Sequence, residues 1–154
     1  MSNGFRITPL PAEVADHVRR TMTDEFGNRL SERRDEDRHQ CRSCLRLTEP
    51  NEPYVGLSYR PFPGPQPFAE SGPVYLHLRP CQPYEQAGEW PAEFPREQVV
   101  LRAYGENHEI SDARYVGRRP AEDVIAELLA DPRNAYVHAR NSTYGCLMFR
   151  IDRA

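Results

Sequence analysis

The chain contains no lysine, so all 20 of its basic residues are arginine. That absence excludes Schiff-base chemistry on a lysine amine and a phosphate loop with its lysine. The nine glycines form no phosphate-binding fingerprint either. No apolar run approaches the roughly 18 residues needed to cross a bilayer, so no membrane partner is expected. Met1 to Ile7 lacks the charged and apolar regions of a signal peptide, and the expected location is cytoplasmic. A net charge of -3 provides no global basic field, so no nucleic-acid partner is expected. The length of 154 residues suits one domain, 1–154. A chain of this size buries roughly 68–70% of its unfolded surface, and on that ground needs no metal or disulfide staple and no cofactor.

What is present is a succession of short apolar alternations. Phe5 to Thr8 reads as an edge strand. Pro11 to Met22 reads as a helix with Leu10, Val14, Val18 and Met22 on one stripe. Residues 23–40 hold a dense run of mixed charge, Glu32 to Arg38, expected to be a solvated and mobile segment. Cys41 to Leu47 and Tyr54 to Arg60 read as strands, followed by a loop with Pro61, Pro63, Pro65 and Pro67. Val74 to Arg79, Glu97 to Tyr104 and His108 to Val116 are further strands. Pro120 to Ala130 is a helix with Ala121, Val124, Ile125, Leu128 and Leu129 on its apolar face. Asn134 to Arg140 and Gly145 to Asp152 form a closing hairpin. The expected class is α+β, a mostly antiparallel sheet with two main helices packed on one face.

Two strands carry one pattern, Tyr75-x-His77-x-Arg79 and Tyr136-x-His138-x-Arg140. Alternation sets these side chains opposite apolar ones. With Arg102 and Tyr104 they are expected to make one polar sheet face. If Ser142-Thr143-Tyr144 is a three-residue loop, Arg140 pairs with Cys146 and Cys146 joins that face. A four-residue loop instead puts Cys146 in the core, and hydrophobic consistency favours the shorter loop. Arg140 beside Cys146 would favour a thiolate, and His138 could act as its base or proton shuttle. Tyr75, His77, Arg79, Arg102, Tyr104, Arg140 and Asn141 would then bind a small anionic molecule.

A second constellation is Cys41-x-x-Cys44 with His77-x-x-x-Cys81, a zinc half-site that one His and one Cys could complete. A strand over 41–47 opposes it, because Cys41 and Cys44 would point to opposite faces. Joint ligation needs the pair in a tight turn.

Four segments in order resemble a bacterial family catalogued as domain of unknown function 1203. They are Cys41-Arg42-x-x-Leu45, Ser71 to His77, Leu101 to Tyr104, and Val137-His138-x-Arg140-Asn141-x-x-x-Gly145-Cys146. The resemblance implies bacterial origin and a single-domain architecture, and it carries no reaction. Three readings stay open: anionic-ligand binding with possible catalysis, a non-catalytic interaction or structural domain, and a zinc-binding domain.

Overall fold

The computed structural model describes residues 4–86 and 88–154, so Met1 to Asn3 of the stretch read for a leader lie outside them. The elements in chain order are β1 (Phe5–Thr8), α1 (Ala12–Thr21), β2 (Tyr54–Tyr59), β3 (Gly72–His77), β4 (Val99–Tyr104), β5 (Ile110–Tyr115), α2 (Ala121–Ala130), β6 (Tyr136–Asn141) and β7 (Leu147–Arg153). Five strands form an antiparallel sheet in the order β1-β7-β6-β4-β5, and β2 pairs with β3 in a separate hairpin. This is the α+β class that the alternation predicts. Among the described residues no helix is long and apolar enough to cross a membrane.

Each helix is placed by its apolar stripe. Ala121, Val124, Ile125, Leu128 and Leu129 are buried on α2 and pack with Val99, Leu101, Ala103, Val137, Ala139, Phe149 and Ile151 of the five-stranded sheet. Glu122 and Asp123 in its first turn suit the positive end of the helix dipole. Trp90 and Phe94, from the loop after β3, close the same core against Phe149. On α1, Ala15 and Val18 pack with Val55, Leu57, Val74 and Leu76 of the hairpin, forming a second, smaller core. Met22 ends α1 in the left-handed conformation, its N–H on the carbonyl of Val18.

Three expectations are corrected. Residues 41–47 are not a strand. Cys41 to Leu45 form a tight turn, with the Leu45 N–H on the Cys41 carbonyl at 3.0 Å and Leu45 itself at φ 56°. The paired Tyr-x-His-x-Arg strands do not share a face, because β3 belongs to the hairpin and β6 to the large sheet. The β6–β7 connection follows neither expected register: Ala139 faces Phe149, Arg140 faces Leu147, and Met148 is the extra residue of a bulge. The bulge reverses alternation at that point, so Met148 joins the core and Cys146 falls in the turn before β7.

The charged segment after α1 forms no helix. It is held against the hairpin by a bridge between Arg33 and Tyr54 and by two buffered carboxylates. Asp35 accepts from the Tyr54 hydroxyl at 2.6 Å, and Asp24 accepts from the Ser58 N–H at 3.0 Å.

Candidate functional site

The tight turn changes the meaning of the C-x-x-C pair. A turn with the Cys41 N–H returned to the Arg46 carbonyl directs both sulfurs to one side. The turn is fixed from outside through Arg42, whose N–H bonds to the Tyr75 carbonyl and whose carbonyl accepts from Leu10. His77, the last residue of β3, and Cys81, four residues on, arrive at the same place. The ligand atoms of Cys41, Cys44, His77 and Cys81 all lie within 4.8 Å of one another. Cys41, Cys44 and His77 are buried and Cys81 is half-buried.

The separations have the scale of a coordination sphere. Zinc–sulfur bonds of about 2.3 Å and zinc–nitrogen bonds of about 2.0 Å imply tetrahedral edges of about 3.8 Å between sulfurs and about 3.5 Å from sulfur to nitrogen. Cys41 Sγ lies 3.8 Å from Cys81 Sγ, and Cys44 Sγ lies 3.4 Å from His77 Nδ1. All four cysteines of the chain are free thiols.

The surroundings address charge and orientation. His77 turns Nδ1 to the sulfurs, while Nε2 lies 3.0 Å from Oε1 of Glu52, and that oxygen also accepts from the Glu49 N–H. A carboxylate on the outer nitrogen is the usual partner of a metal-binding histidine, since it fixes ring orientation and tautomer. The His77 N–H approaches Cys41 Sγ at 3.4 Å. Arg19 reaches over from α1, with Nη2 donating to Cys81 Sγ at 3.3 Å and Nε to the His77 carbonyl at 3.1 Å. Arg46 is held above its usual range, first by a hydrogen bond to Cys44.

The cluster shares protons unevenly. Hydrogen bonds from Cys44 and Cys81 hold the Cys41 thiol far below the ordinary thiol range. The Cys44 thiol is pushed up, chiefly by its hydrogen bond with Cys41. His77 rises to about 10, chiefly through hydrogen bonds to Cys41 and Cys81. The site is thus already disposed to carry negative sulfur next to positive donors.

The other expected site residues scatter. Tyr75 packs its ring against His39 and Tyr54, and Arg79 lies exposed beyond the end of β3. Arg102 is paired with Glu70 at 2.6 Å. Tyr104 and His138 are sealed, each 0% exposed, beneath Phe62 from the Pro-rich loop, with Tyr136 completing the aromatic box. Neither ring nitrogen of His138 has a hydrogen-bond partner. Burial, with Arg140, Arg150 and Arg102 nearby, pushes its pKa down to about 3. His138 is therefore neutral and enclosed, not poised beside Cys146 as its base. Asn141 shapes the turn, its Oδ1 accepting from the Thr143 and Tyr144 N–H groups. Arg140 and Cys146 alone of that set line a common cleft.

Sequence reasoning does not single out Arg19 and Arg46, and it offers Glu52 only as one of several loop carboxylates. Their only signal was charge, and charge is abundant in this chain. Phe62 was equally silent, because a single aromatic in a Pro-rich loop does not reveal which face it covers.

No curated protein and no solved structure matches the chain at a significant level. A family model described as a protein of unknown function, DUF1203, matches residues 38–153. That span contains the four clustered side chains and Glu52. It is also most of the chain, and the protein belongs to the DUF1203 family.

Proposed function

We propose that this is a zinc-binding domain in which Cys41, Cys44, His77 and Cys81 hold one ion. The reading rests on the convergence of three sulfurs and one imidazole nitrogen within 4.8 Å, with the other face of that imidazole on Glu52. A set of three thiolates and one imidazole suits zinc among the common ions. Four protein ligands leave no position for water or substrate, so the ion is structural rather than catalytic. Three thiolates and a neutral imidazole leave a zinc complex with one negative charge, which Arg19 and Arg46 offset. The role of the ion is to bind the Cys41–Cys44 turn to the end of β3 and, through Arg19, to α1. The anion-binding reading keeps Arg140 and Cys146 and loses the joint Tyr/His/Arg face.

Elemental analysis of protein purified without chelators tests the proposal. The expected content is about one zinc per chain, falling several-fold in Cys44→Ser and Cys81→Ser and unchanged in Cys146→Ser. Wild-type protein with all four thiols reduced and only a trace of zinc would overturn it.

A further inference from the structure

Arg140 ends β6 nearly buried, at 8% exposure, yet its guanidinium is poorly matched. Nη1 donates to the Gly145 carbonyl at 3.0 Å, and Nε has no partner. The ion pair of its Nη1 with Oε2 of Glu70 is 3.9 Å long, too far for a hydrogen bond, while the other oxygen of Glu70, Oε1, is held by Arg102 at 2.6 Å. A buried charged donor without an acceptor is costly, and a planar guanidinium is best satisfied by two oxygens in its own plane.

The space in front of Arg140 is a cleft of about 160 Å³ between the Pro-rich loop and the β6–β7 turn. Tyr59, Pro61, Glu70, Arg140, Tyr144 and Cys146 are among its walls. Tyr144 is 84% exposed beside it. A second positive group stands behind: Arg42 is 5% exposed, and its hydrogen bonds go to the carbonyls of Leu147 and Gln40, not to a carboxylate. Leu147 also lines the cleft. The cleft is well below the roughly 300 Å³ at which drug-sized pockets begin, so its occupant is a small molecule.

We propose that this cleft binds a small monocarboxylate, with the carboxylate on Arg140 and its short apolar body between Tyr59 and Pro61, and with Cys146 in the wall. Glu70 in the wall disfavours a phosphate dianion, whereas a single negative charge matches a cleft in which Arg140 is the one lining cation. The apolar walls give no contact to a bare inorganic anion. None of the four clustered side chains lines this cleft, and the link between the two sites is Arg42, which leaves the Cys41–Cys44 turn to reach the Leu147 carbonyl.

Cys146 supplies the readout. Iodoacetate is a small monocarboxylate that alkylates thiols; iodoacetamide is its uncharged analogue. The Cys146 sulfur, as thiolate, attacks the methylene carbon, the carbon–iodine bond breaks, iodide leaves, and the thiol proton goes to solvent. Rates are read on the Cys146 peptide by mass spectrometry, using protein with its other thiols as isolated. Wild type is expected to saturate with iodoacetate and not with iodoacetamide. The iodoacetate-to-iodoacetamide rate ratio is expected to exceed that of Arg140→Gln by about tenfold or more, the effect of one charge-assisted pair. Propionate is expected to slow the iodoacetate reaction, and inorganic phosphate at the same concentration is not. Linear kinetics with equal ratios in the two proteins overturns the proposal, and so does protection by phosphate equal to that by propionate. Should circular dichroism find Arg140→Gln unfolded, saturation and propionate competition in the wild type decide alone.

Discussion

His138 shows how a polar residue can be read correctly for its position and wrongly for its role. Alternation placed it opposite the apolar face of β6, and there it is, but the face is roofed by Phe62. A second covering layer cannot be read from strand periodicity, which reports only that two faces differ. Its titration gives a prediction. The folded value of about 3 lies below the unfolded value of about 6.5. The unfolded chain therefore binds the proton first as pH falls, so this residue's share of stability is complete above about 6.5 and is lost on the way down towards 3. Between pH 7 and pH 5 that amounts to about 2 kcal/mol. His138→Phe removes both the proton and the unbonded nitrogens, so urea unfolding should show a near-neutral effect at pH 7 and a variant more stable than wild type at pH 5. Parallel pH profiles would refute it. Glu52 offers a test of orientation: Glu52→Gln should weaken zinc about 10–100-fold in competition with a chromophoric chelator. An unchanged affinity would mean that the carboxylate does not position His77.

At the scale of elements, the long periodic segments were legible and the short irregular ones were not. Both helices begin and end within a residue or two of their Pro and apolar-stripe signals. The stripe on α2 is the more telling, since five buried residues face the sheet. Leu128 sits at 1% exposure in that interface, and Leu128→Ala should cost about 2–5 kcal/mol in chemical denaturation. A cost below ~1 kcal/mol would mean that α2 collapses into the gap. Two of the failures come from a single residue out of step, which closes a turn or inverts a face. Residues 41–47 read as a strand, but Leu45 takes a left-handed φ and closes a turn. In β7 the bulge at Met148 makes consecutive Met148 and Phe149 both core residues. The C-x-x-C spacing itself was visible, and only the backbone between the cysteines was misread.

The whole molecule is built from unequal parts, and this sets what the proposed zinc would have to do. Chain length suggested that no staple was needed, which treats the core as one. It is divided: among the described residues nineteen form the cluster around the five-stranded sheet, and nine form the cluster beneath the hairpin. Two of those nine are Cys41 and Cys44. A two-stranded hairpin is marginal by itself, and one ten-residue helix adds little apolar area. Zinc binding in small domains contributes on the order of 10 kcal/mol, as much as the gross burial of the Leu and Val side chains in that cluster. Removal of the ion should therefore be felt regionally. With zinc withdrawn by a strong chelator under reducing conditions, amide exchange should accelerate in α1, β2 and β3 by at least about 100-fold, while β4, β6 and β7 keep their protection. The seam between the parts should loosen as well, since the Arg42 bond to the Leu147 carbonyl leaves a turn that contains two of the proposed ligands. Restoring zinc, but not magnesium, should restore protection, because magnesium prefers oxygen ligands in octahedral array. Protection unchanged on chelation would mean that the hairpin stands without the ion and that the four side chains meet for another reason, and equal acceleration in both regions would mean that the ion's effect is not regional.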